Sequence, residues 1–117
     1  MALLTSILIA AISLEHLFFL LLETYFWDKP LGRKVFGHSL ERAQYTKVLA
    51  FNQGVYNGFL AIGLWWGLIL GDHGYSQKVF FLSCVALAGI VGGKTASKTI
   101  FYVQGIPAII ALLLLMQ

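Results

Sequence analysis

The chain has 117 residues, 59% of them hydrophobic and only 11% charged, with a mean hydropathy of +0.82. A water-soluble domain of this size carries about 25% charged residues, so the composition excludes an ordinary soluble fold and points to one integral membrane domain over residues 1–117. Eight Lys and Arg against five Asp and Glu leave a net charge of +3, but no basic run is interleaved with aromatics outside apolar sequence, which argues against a nucleic-acid partner.

The first predicted span covers about residues 3–27. No Lys or Arg precedes its apolar run and no small-residue cleavage pattern follows, so it reads as a retained span and not a signal peptide. Neither end carries a lipidation signature. Trp27 is placed as an interfacial anchor, and Pro30 and Gly32 break the chain. Ser39 is the expected N-cap of the next helix, with Glu41 in its first turn. Residues 40–47 form an amphipathic turn ahead of the second span, about 48–70. After the polar turn at 71–76 a third span covers about 78–93. Residues 93–98 are the weakest boundary in the chain. A fourth span, about 99–116, contains Gln104 and Pro107, a proline that a membrane helix tolerates as a kink. The expected fold is all-α, an integral membrane four-helix bundle.

Orientation follows from charge. Four spans place the first and third loops on one side, with Lys29, Arg33, Lys34, Arg42, Lys47, Lys94 and Lys98, and leave only Lys78 on the other. The positive-inside rule then puts both termini on the non-cytoplasmic side. On this topology Glu15 lies near the midplane and Glu23 about two turns nearer the cytoplasm. Asn52, Gln53, Tyr56, Asn57, Gln104 and Lys94 fall in the same cytoplasmic half, while the opposite half is expected to be closed by apolar side chains.

Inside hydrocarbon such groups need partners or a wet cavity, because an unsatisfied amide there costs several kcal/mol as an order of magnitude. Asn52 with Tyr56, and Gln53 with Asn57, stack one turn apart on the second span as a polar stripe. Glu15 and His16 are the candidate catalytic pair for acid–base chemistry. Glu23, Asn52, Gln53, Tyr56, Asn57, Lys94 and Gln104 are the candidate binding residues for a small amphipathic molecule. The same groups also fit a proton-coupled transporter using Glu15, or a structural protein with polar helix contacts.

Cys84 is a lone cysteine among apolar neighbours and reads as a packing residue. His38 and His73 are loop residues without companions at ligand spacing, so no metal site is expected, and the cofactor is unknown. The glycine pairs Gly54–Gly58, Gly63–Gly67–Gly71 and Gly89–Gly93, each at four-residue spacing, permit close helix approach. With two glycine faces on the second span, a homo-oligomer is expected.

Leu14-Glu15-His16, Glu23, Gly32-Arg33-Lys34-Val35-Phe36-Gly37, Asn52-Gln53-Gly54-Val55-Tyr56-Asn57-Gly58 and Val103-Gln104-Gly105-Ile106-Pro107-Ala108 together resemble the domain of unknown function 1304 family. The resemblance covers essentially the whole chain and implies a small four-span protein of the bacterial inner membrane. It brings no activity with it. The ground plan is also similar to the membrane-associated eicosanoid and glutathione metabolism proteins, and a lone glutamate in the first of four spans is similar to small multidrug-resistance transporters. Both likenesses are weaker: the Arg42–Asn52 spacing departs from the first pattern, and the charge bias departs from the second.

Overall fold

A computed structural model describes residues 2–117, and these are all-α: no strand occurs among the described residues. Helix α1 (Ala2–Thr24) is followed by a short α2 (Pro30–Phe36) and a long α3 (Leu40–Ile69). A 3₁₀ turn (Gly71–Gly74) then leads into α4 (Tyr75–Thr95). The last stretch begins with one turn of helix, α5 (Lys98–Ile100). It continues as a π-helical turn (Phe101–Gly105) and ends in α6 (Ile106–Leu115).

The sequence explains the boundaries. Helix α1 closes when the N–H groups of Tyr25 and Phe26 both donate to Leu21 O. Pro30 sits at the first positions of α2, where its missing N–H costs nothing. Gly37, in the left-handed region at φ 68°, ends α2, its N–H donating to Arg33 O. Ser39 Oγ accepts from Arg42 N–H at 3.1 Å, which is N-cap geometry. The amphipathic turn expected at 40–47 is continuous with the helix after it, so α3 is 30 residues long, about 45 Å at 1.5 Å per residue. The weak boundary at 93–98 is a real break. Thr95 ends α4, and Ser97 Oγ accepts from Thr99 N–H at 3.2 Å to start the next helix.

Ala2–Thr24, Gly71–Thr95 and Lys98–Leu115 are long and apolar enough to cross a membrane. Helix α3 is long enough, but Asn52, Gln53 and Asn57 dilute its apolar character.

Contacts cluster into two units whose boundaries fall inside α1 and α3. The first comprises residues 1–14 and 60–117. Its core is Ile9, Ile12, Leu64, Leu82, Val85, Ala86, Ala108 and Ala111, contributed by α1, α3, α4 and α6. Burying each of the larger side chains contributes about 1.5–3 kcal/mol relative to water, though in lipid only packing and polar pairing drive the association. Buried Ser13 donates to Ala61 O at 2.9 Å. Gly89 meets the π turn: a Cβ there would lie 2.4 Å from Gly105 N, so the two backbones touch.

The second unit, residues 15–59, holds the end of α1, all of α2 and the first two-thirds of α3. Trp27 organises its loop end. The indole N–H donates to Thr46 Oγ1 at 3.0 Å, and Thr46 in turn donates to Arg42 O. The Trp27 ring packs on Phe36 and on His38, whose Nε2 lies 3.1 Å from Trp27 O. Trp27, expected as an interfacial anchor, ties together two stretches of the chain.

The glycine faces are consumed within each unit. Gly54 and Gly58 face Leu20, Glu23 and Thr24; Gly63 and Gly67 face Phe81 and Lys78; Gly93 faces Phe101. Gly71 has nothing within contact distance and is needed instead for its positive φ of 59°. Glycine spacing therefore supplies no argument for a second copy of the chain.

Candidate functional site

The second unit contains a buried carboxyl–carboxamide pair. Asn57 Nδ2 on α3 donates to Glu23 Oε1 on α1 at 2.6 Å, with Glu23 3% and Asn57 8% exposed. Two local features make this possible. Gly54, one turn before Asn57, lets α3 lie against α1 at this level: a Cβ there would sit 2.8 Å from Thr24 Cγ2 and 3.3 Å from Leu20 O. Thr24 turns its hydroxyl back to Leu20 O at 2.6 Å, satisfying itself inside its own helix.

The other oxygen, Glu23 Oε2, is buried and makes no hydrogen bond of ordinary geometry to any described residue. Gln53 is the second carboxamide beside this carboxyl. An ionised carboxylate accepts on both oxygens, and a protonated one must also place its O–H. With Asn57 on Oε1 and Gln53 beside the carboxyl, Oε2 still has capacity for a proton, a water or a ligand donor.

The remaining predicted residues divide clearly. Glu15 is half-buried on α1, eight positions before Glu23, which is about 12 Å along the axis. His16 is fully buried, its ring edge-on to Phe19 at a centroid distance of 5.6 Å. Asn52 is exposed and donates to Val48 O of its own helix at 2.8 Å. Gln53 and Tyr56 are also exposed, Tyr56 lying against Phe59. Of the polar stripe on α3, only Asn57 turns fully inward. Lys94 and Gln104 belong to the first unit: Lys94 is exposed near the end of α4, and Gln104 is half-buried in the π turn.

Two sets of residues were not singled out from the sequence as functional. One is the Trp27–Thr46–His38 cluster, whose signal would have been a tryptophan near a threonine two turns into the following helix. The other is the π turn that presents Gln104. There Ile106 N–H reaches Phe101 O five residues back, directly before Pro107 removes its own donor.

At the loop end the Lys47 ammonium bonds Asp28 Oδ2 at 3.0 Å and holds that carboxyl below the usual carboxylate range. Lys29 lies 3.7 Å from Oδ1 and over the Tyr25 ring. No cluster of three or more His, Cys, Asp or Glu able to hold a metal ion occurs among the described residues.

These features define the class: an all-α protein with helices suited to a membrane and an acidic side chain buried against a carboxamide. The chain belongs to the family described as "Protein of unknown function (DUF1304)", which it matches over residues 7–116. It is similar to "Uncharacterized protein YpaA" of Lactococcus lactis subsp. lactis (strain IL1403), with 30% identity over 115 residues and 97% of each chain covered. No solved structure matches it.

Proposed function

We propose that this is a multi-pass protein of the bacterial plasma membrane, a four-span bundle with both termini on the non-cytoplasmic side. In this reading it binds a small amphipathic molecule from the cytoplasmic leaflet through Glu23. Seven basic residues in or beside the first and third connections, against Lys78 alone, support the orientation. The length of α3 supports its counting as a fourth span.

The observation that carries the binding reading is the half-satisfied Glu23 carboxyl. A buried acidic group in an apolar helix normally has every polar atom paired. Here Asn57 positions one oxygen, Gln53 lies beside the carboxyl, and the other oxygen has capacity to accept a hydroxyl or amine of the ligand. Glu15 and His16, on the same helix, are the residues for passing a proton to or from such a ligand, as acid–base processing or proton coupling both require.

A structural role is the second reading, favoured by the Glu23–Asn57 bond itself, which would hold α1 to α3 without any ligand. A carbodiimide that partitions into the membrane separates the two. In purified protein, peptide mass spectrometry should find Glu23 or Glu15 modified, and an amphipathic ligand should protect Glu23. If neither carboxyl reacts in folded protein while both react after denaturation, the site is a structural clamp. Transport is distinguished from binding in proteoliposomes: a flux lost in Glu15→Gln would establish the proton-coupled alternative.

A further inference from the structure

The first unit contains a cleft of about 420 Å³ at the end that carries both chain ends and the 71–75 turn. That volume falls in the range of small-molecule sites. The apolar sequence at this end predicts that it is closed by apolar side chains. Instead, Lys78 lines the cleft together with Thr5, Ser6 and Asp72, while Ile9 and Leu68 supply part of an apolar flank.

Lys78 is the unusual member. It is only 9% exposed, and its stem lies on Gly67, where a Cβ would come within 2.7 Å of Lys78 Cγ. Its ammonium donates to Gly71 O at 2.8 Å. An ammonium has three donors, so two remain. Neither ion pair among the described residues involves Lys78. The ammonium has one carbonyl as its protein acceptor and lines the cleft, so its remaining donors are available to a ligand there. An anion in the cleft would accept from them.

Asp72 restricts which anion. Its carboxylate is exposed and lines the same cleft, so a purely anionic ligand would meet like charge and a purely cationic one would meet Lys78. A ligand bearing a phosphate and a primary amine a few bonds apart satisfies both. The aliphatic flank then accommodates the glycerol and upper acyl chains of a lipid.

We propose that this cleft is a headgroup site for a zwitterionic phosphoethanolamine lipid, with Lys78 on the phosphate and Asp72 on the amine. It involves none of the residues of the Glu23 site and stands independently of it.

The test uses the full chain in mild detergent, with native mass spectrometry reading lipid retention and thermal shift reading stabilisation. The probes are phosphatidylethanolamine, phosphatidylglycerol and phosphatidylcholine of identical acyl composition, and soluble phosphoethanolamine. Phosphatidylethanolamine should be retained about tenfold more strongly than either other lipid. Lys78→Met should lose all three, and Lys78→Arg should retain the preference. Asp72→Asn alters an exposed residue, so it remains informative even if Lys78→Met fails to fold. It should bring phosphatidylglycerol up to equal retention. Equal retention of all three lipids by the unaltered chain, or an unchanged preference in Asp72→Asn, would overturn the proposal. Stabilisation by soluble phosphoethanolamine equal to that by the lipid would overturn the lipid assignment.

Discussion

Asn57 Nδ2 reaches Glu23 Oε1 at 2.6 Å across 34 positions of sequence, both side chains buried. This bond links α3 to α1, and because both groups are buried neither readily exchanges its partner for bulk water. Asn57→Ala leaves the carboxyl without its donor and should lower stability by about 1–3 kcal/mol. The same substitution in a Glu23→Leu background, which has no acceptor, should cost less, by a coupling energy of about 0.5–2 kcal/mol. Thermal unfolding of the four proteins in one detergent measures the cycle. Strict additivity would show that the bond contributes nothing.

Gly54 sets the approach that allows this bond. Any side chain there meets Thr24, the Glu23 Cβ and Leu20 O. Gly54→Val should therefore cost about 1–3 kcal/mol through overpacking. It should also raise carbodiimide modification of Glu23 as the two helices separate, which peptide mapping would read directly.

Two neighbouring glycines on α4 should behave differently under the same substitution. A methyl at Gly89 meets the backbone of Gly105 at 2.4 Å, whereas one at Gly92 meets side-chain atoms of Ile100, the Cγ2 methyl nearest at 2.7 Å. Gly89→Ala should destabilise by about 3 kcal/mol or more, because backbone must move. Gly92→Ala should cost less than Gly89→Ala, since a side chain and not backbone must give way. Equal melting temperatures for the two variants would contradict the close contact of α4 with the π turn.

The Asp28–Lys47 pair should report on pH. Its folded-state carboxyl titrates below its ordinary value, mainly through the Lys47 hydrogen bond. The stabilisation is therefore present above the unfolded-state value, about 4, and is lost as pH falls through the lower folded-state value. Asp28→Asn should flatten this acid limb of the melting curve without changing the limb above it. Both lysines facing Asp28 are half-exposed, so added salt should shrink the effect as well.

Much of this architecture was legible in the residues. Apolar runs announce helices, and Pro30, Gly37 and Ser39 announce where they stop and start, because these signals act through local backbone geometry. The site was legible only in outline. Gln53 and Asn57 share a helical stripe, and that stripe was readable from their spacing. Direction was not. Asn52 and Tyr56, on the same stripe as Asn57, turn outward, because a helix buries only the part of its surface that its neighbour covers.

Sequence by itself determined the helical class, the apolar stretches suited to a membrane and the family. Each follows from composition and short-range pattern, which are properties of the chain before it folds. Tertiary structure decided that Asn57, and not Asn52, meets Glu23. It decided that the glycines serve contacts within the chain, and that Lys78 lies buried in an open cleft where an apolar seal was expected. Those outcomes depend on which faces pack and how closely backbones approach, and no residue specifies that alone.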